Sequence, residues 1–147
     1  METREIYLQR LDETIAQLLS LYQSMATPEI EVFEGWSAKD VLGHITFWHE
    51  SFARNVSDIV NGIKPTPLKG KLGDLNQRGV DEMSSYPVET VLERLEAAHR
   101  VIQENIQDPR LILIPYRKGS RDYTPEEHLS VVKDHIQGHL QAIKKLF

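Results

Sequence analysis

Four stretches of about twenty residues each place an apolar side chain at every third or fourth position. That is the repeat of an amphipathic helix, and each such helix carries one apolar stripe that must be covered. In a chain of 147 residues the four stripes cover one another most simply, so the sequence reads as all-α, a four-helix bundle forming one domain over residues 1–147.

The first stretch, residues 3–25, sets out Ile6, Leu11, Ile15, Leu18, Leu19, Tyr22 and Met25, and Pro28 follows its end. Residues 27–35 then read as a plain connection. The second stretch, residues 38–60, follows Ser37, a good capping residue, and has Asp40 placed for the positive end of the helix dipole. Its stripe is Val41, Leu42, Ile45, Trp48, Phe52, Val56 and Ile59. The third, residues 88–107, carries Val88, Leu92, Leu95, His99, Ile102 and Ile106, with Ser85 or Tyr86 near its cap and Asp108-Pro109 at its end. The fourth runs from residue 124 to about 146. In Thr124-Pro125-Glu126-Glu127 the threonine caps, the proline suits the first helical position and Glu127 completes a capping box.

Between these helices, residues 61–73 hold three glycines and two prolines, which predicts one long loop of the kind that serves as a lid or binding segment. A short extra helix is expected over 74–83. Residues 110–116, rich in isoleucine and too few for a helix, read as an extended segment crossing one end of the bundle.

Composition narrows the chemistry. A net charge of −5, with lysine and arginine interspersed among acids, argues against a nucleic-acid partner, which needs a clustered basic face. There are no cysteines, so disulfides, thiolate ligands and a cysteine nucleophile are excluded, and a metal must be held by histidine and oxygen. No eighteen apolar residues run together and the first residues lack a basic segment followed by an apolar one, so no membrane association is expected and the cytoplasm is the default location. No glycine-rich phosphate loop or nucleophile elbow is present.

The six histidines are the unusual feature. His135 and His139 stand four residues apart, one turn above the other on the same helix face. They interrupt the stripe Leu129, Val132, Ile136, Ile143 and Leu146, which predicts that they point inward, where a divalent metal satisfies both together. The pair lacks the glutamate of the H-E-x-x-H metalloproteases, and Asp134 does not replace it. A third ligand from another helix would complete a three-histidine site with positions open to water. His44, one turn before Trp48, and His99, on the stripe of the third long helix, are the two candidates. His49 and His128 fall nearer the polar faces, although His49 and His99 are also the weak candidates for an acid or base. Trp36 and Trp48 read as packing residues, Glu50 and Asp58 as solvated surface, and Asn76 as a polar residue at a helix start or a donor to a pocket.

Two segments carry a resemblance to a known family. Gly35-Trp36-Ser37-Ala38-Lys39-Asp40-Val41-Leu42-Gly43-His44-Ile45, paired with His135-x-x-x-His139 and the following Leu140-Gln141-Ala142-Ile143, resembles the DinB-like superfamily of four-helix-bundle proteins over essentially the whole chain. Trp48, Asp74-Leu75-Asn76 and Leu95-Glu96-Ala97-Ala98-His99 resemble its ClbS/DfsB branch. The superfamily resemblance implies a divalent metal ion (zinc, nickel or iron) held by His44, His135 and His139, a small-molecule substrate, thiol-dependent transfer or hydrolysis, and a homodimer. The ClbS/DfsB resemblance implies instead a protein that binds or hydrolyses a toxic cyclopropane compound, with or without the metal, and a third reading is a structural or stress-response protein that pairs through a face of the bundle.

Overall fold

In a computed structural model, which describes residues 3–147, the chain is a bundle of four long helices with one short helix laid on its side. The order is α1 (Arg4–Gln23), β1 (Glu31–Phe33), β2 (Trp36–Ser37), α2 (Ala38–Val60), α3 (Leu72–Met83), α4 (Val88–Asn105) and α5 (Pro125–Lys144). Helix α1 packs on α5, and α2 packs on α4, α3 and the edge of α5. The helix spans and both capping signals match the sequence pattern. Ser37 and Asp40 exchange side-chain and backbone hydrogen bonds at 3.1 and 3.0 Å, and Thr124 and Glu127 do the same at 3.2 and 3.0 Å.

The buried stripe joins Leu11, Leu18, Leu42, Ile45, Leu95, Ile102, Leu129, Ile136 and Leu140 into one core. Its ends are tied by polar side chains. The Arg4 guanidinium donates to the carbonyls of Ile106 and Asp108 at 3.0 and 3.2 Å and to Glu126 at 3.0 Å, so one side chain joins the start of α1, the end of α4 and the start of α5. The Tyr22 hydroxyl donates to the Ala38 carbonyl, fixing the end of α1 against the start of α2, and its burial raises the phenol's pKa.

The connection before α2 is more ordered than the sequence predicts. Residues 31–37 form a small antiparallel hairpin in which Gly35 takes φ +83° and donates its N–H to Glu31 Oε1 at 3.0 Å. The positive φ is a conformation glycine adopts without steric cost. This hairpin brings Phe33 and Trp36 to the mouth of the pocket described below.

The loop of residues 61–71 is fastened rather than free. Lys118 donates its N–H to the Leu68 carbonyl at 2.8 Å, and the Arg117 side chain donates to the Gly70 carbonyl at 2.9 Å. Residues 110–116 are extended as expected. Leu111 and Ile114 face the core, Ile112 and Leu113 face solvent, and Ile114 exchanges two backbone hydrogen bonds with Tyr123 at 2.7 and 3.0 Å. Leu146, expected on the α5 stripe, lies beyond the helix end and is exposed.

Helix α3 lies unusually close to α2. A Cβ on Gly79 would sit 2.7 Å from the Phe47 ring, and one on Gly43 would sit 2.9 Å from Met83 Cβ. Both glycines are needed for the helices to meet at this distance, because no side chain of any size fits between them. Replacing Gly79 by alanine is therefore expected to cost about 1–3 kcal/mol of stability through overpacking, despite alanine's better helix propensity. Denaturant unfolding checks this, with stability at or above that of the parent as the contrary result.

Candidate metal centre

Helix α2 is the wall from which the pocket is built. Fourteen of its 23 residues are buried, because α3, α4, α5 and the hairpin surround it and leave no fully polar face. Its successive turns carry His44, Trp48 or His49, Phe52 and Asn55, all of which line a cavity of about 510 Å³ between α2 and α5. The size suits a small organic molecule. Helix α5 contributes His128, His135 and His139, and residues 115–116 close one side.

At one end of this cavity His44, His135 and His139 meet. Their nitrogens all lie within 4.8 Å of one another, and among the described residues no other group of three or more His, Cys, Asp or Glu side chains comes together in this way. His135 Nε2 stands 3.2 Å from His44 Nε2 and 3.0 Å from His139 Nε2. Two ligands at about 2.0–2.1 Å from a tetrahedral ion stand about 3.3 Å apart, so these separations fit a divalent cation with little adjustment. The atoms present fit no other arrangement as well. A neutral ring nitrogen offers one proton or one lone pair, and three converging on the same point cannot all be satisfied by one another.

All three imidazoles are held in the neutral form that ligates metal. Burial, and then the neighbouring His135 and His139 rings, push His44 down to about 3. Burial and then His135 push His139 down to about 4, and burial lowers His135. The aromatic groups around the cluster fix its rings. Trp36 tilts against His44 with centroids 5.1 Å apart, and Phe33 meets His139 edge-on at 5.6 Å.

The structure departs from the sequence reading in four respects. First, His135 and His139 do not point into the apolar core. That stripe is Leu129, Ile136, Leu140 and Ile143, and the two histidines stand one residue before Ile136 and Leu140, about 100° around the helix, on the rim of the cavity. Second, His49 and His128 are buried at 2% and 3% exposure, not on polar faces, since α2 is covered on several sides and α5 begins beneath Tyr116 and Tyr123. Third, His99 stays outside the cluster and faces Asp12 on α1, with Nε2 2.7 Å from the carboxylate. Fourth, Glu50 forms a two-point ion pair with Arg94 at 2.7 and 2.9 Å.

The tryptophans are cavity walls as well as packing residues. Trp48 donates its indole N–H to Asn76 Oδ1 at 2.8 Å and stacks on Tyr116 with centroids 5.0 Å apart, so Asn76 is an acceptor that orients the wall. Trp36 donates to Gln77 at 3.2 Å. Tyr116 and His128 were not legible as pocket residues, because the segment holding Tyr116 has no periodicity from which a facing direction follows.

No family model matches the chain, and no curated protein sequence matches it. Its fold does match solved structures. The mycothiol-dependent maleylpyruvate isomerase superposes with a TM-score of 0.76 at 11% identity over 96% of this chain, and a histidine-to-alanine mutant of that enzyme gives the same values. The likeness is one of fold alone. The chain spans 60% of the length of these neighbours. Among the described residues no helix is long and apolar enough to cross a membrane.

The buried histidines make stability pH-dependent. Burial lowers His128 from 6.5 to about 4, so the folded state disfavours its proton relative to the unfolded chain. Stability from this group is therefore full above about pH 6.5 and is lost as pH falls toward 4, by about 3 kcal/mol in all. His128 stacks on Phe52 with centroids 4.1 Å apart, so His128→Phe preserves a stacked ring while removing the titration. Urea unfolding from pH 8 to 4 is expected to show a shallower acid loss in the variant, and an unchanged slope would contradict the assignment.

Proposed function

We propose that this protein is a divalent-metal-dependent enzyme that acts on a small electrophilic molecule, with His44, His135 and His139 as the metal ligands and the cavity between α2 and α5 as the substrate site. The observation that carries this reading is the convergence of three neutral imidazoles, with His135 Nε2 3.2 Å from His44 Nε2 and 3.0 Å from His139 Nε2 and all three within 4.8 Å, on the rim of a largely apolar cavity. Three protein ligands leave coordination positions open, as in catalytic rather than structural sites. A bound zinc, nickel or iron ion there supplies Lewis acidity, which makes a water or thiol nucleophilic near neutral pH.

The chain's own residues do the rest. Trp36, Trp48 and Tyr116 present flat apolar faces that exclude water and orient a small substrate. Asn55, held by its donation to the Pro115 carbonyl at 3.2 Å, adds a fixed polar side chain to the cavity lining. With no cysteine in the chain, a thiol nucleophile must arrive as a small molecule. The fold neighbour is a mycothiol-dependent isomerase, which favours thiol-dependent chemistry over simple hydrolysis.

Calorimetric titration of tag-free protein is expected to give one Zn²⁺ or Ni²⁺ per chain, and replacing His135 and His139 together by alanine to abolish it. With Co²⁺ in the site, adding a low-molecular-weight thiol is expected to produce a sulfur-to-metal charge-transfer band. Tight binding without such a band supports the hydrolytic form, and no stoichiometric binding by any of the three ions contradicts the proposal. The second reading, a metal-free ClbS/DfsB-like binding or resistance protein, draws on the apolar, aromatic lining. It predicts that the same double variant keeps protection against the toxic compound.

A further inference from the structure

A second set of buried ionisable side chains opens on the same cavity. His49 lines it from α2, and its Nε2 lies 3.0 Å from Nδ1 of His99 on α4, the two rings stacked with centroids 5.2 Å apart. His99 Nε2 lies 2.7 Å from Asp12 Oδ1 on α1. Gln103 donates its amide N–H to the same oxygen at 3.0 Å. The Asp12 side chain is 37% exposed, so a continuous line of polar atoms runs from the cavity across α4 to solvent.

The line has a direction. An ionised carboxylate only accepts, so His99 places its proton on Nε2 and keeps a lone pair on Nδ1. His49 must then donate from Nε2, which leaves the lone pair on His49 Nδ1. That nitrogen is buried and has no hydrogen-bond partner among the described residues. Nδ1 of His44 and of His128, on the same cavity, are left unpaired in the same way, and a buried acceptor of this kind is stabilised by a donor that a bound molecule brings.

We propose that His49, His99 and Asp12 form a proton relay between the cavity and solvent, with His49 Nδ1 accepting a proton from an O–H, N–H or S–H group bound in the cavity. The inference rests on the reading of this cavity as a small-molecule site. In the transfer the cavity group loses one proton to His49 Nδ1, the His49 Nε2 proton passes to His99 Nδ1, and the His99 Nε2 proton passes to Asp12 and then to water. One proton leaves the cavity, nothing is oxidised or reduced, and the reverse sequence resets both rings. His49 touches the cavity, whereas His99 and Asp12 are positioning residues. His128 faces His49 from α5, and burial together with the His99 and His128 rings disfavours a resident charge on His49, so the proton is passed on and not stored.

Long-range nitrogen–proton correlation spectra of full-length, ¹⁵N-histidine-labelled protein test this without metal, so a failure of metal binding leaves the result interpretable. Both His49 and His99 are expected as Nε2–H tautomers. Asp12→Asn is the decisive variant: Gln103 and His99 both donate to the position of Oδ1, which holds the amide oxygen there, but an amide cannot relay the proton. It is expected to retain both tautomers while solvent exchange of the His49 ring proton slows about tenfold. Asp12→Ala, if folded by circular dichroism, is expected to mix the tautomers of both rings. An Nδ1–H tautomer at His49 in the parent, or parental exchange in Asp12→Asn, overturns the proposal. A purely structural role for the stack predicts that unchanged exchange.

Discussion

The Phe47 ring occupies the space where a side chain on Gly79 would begin, and this contact lets α3 lie flat along α2. With α3 on one side, α4 on another and α5 beyond, most of α2 is enclosed, although flank residues such as Arg54 stay exposed. His44, His49 and Asn55 are therefore buried with the apolar residues beside them. Burial favours the neutral imidazole and makes each nitrogen left without a partner costly. Burial within the bundle, with the neighbouring histidines of α4 and α5, thus sets the protonation state of the side chains that the cavity offers.

Those side chains find two kinds of partner. His49 and His99 pair with each other and reach a carboxylate, a complete chain except at the cavity end. His44, His135 and His139 pair only with one another, through nitrogens of the same type converging on one point. The first arrangement suits proton movement and the second suits a cation. They share one cavity, bounded by α2 and α5, so a cation bound at the rim and a proton acceptor at the wall would face the same molecule.

Much of this was readable in the sequence because helical periodicity and capping residues act locally. The Ser37–Asp40 and Thr124–Glu127 boxes fix helix starts from four residues each, and the four apolar stripes define the bundle. The His135–His139 spacing and its pairing with His44 were legible for the same reason. What the sequence did not disclose depends on how many neighbours a helix has. His49 and His128 look amphipathic-polar on a helical wheel, yet His99 on α4 covers the first and Tyr116 and Tyr123 cover the second. The hairpin at residues 31–37 had a local signal in Gly35, but its strands are too short for alternation to register. Asp12 sat on an acidic helix surface, and only the α1–α4 packing brings it to His99.

In the proposed function, three histidines from two helices form a cation site on the wall of the cavity. Diffraction from metal-loaded, tag-free crystals, with anomalous data on both sides of the zinc and nickel edges, tests it most directly. The account predicts one anomalous peak about 2.0–2.1 Å from the Nε2 atoms of His44, His135 and His139, with at least one coordination position facing the cavity. A structure in which these rings turn apart, or in which the metal lies elsewhere on the chain, would contradict it.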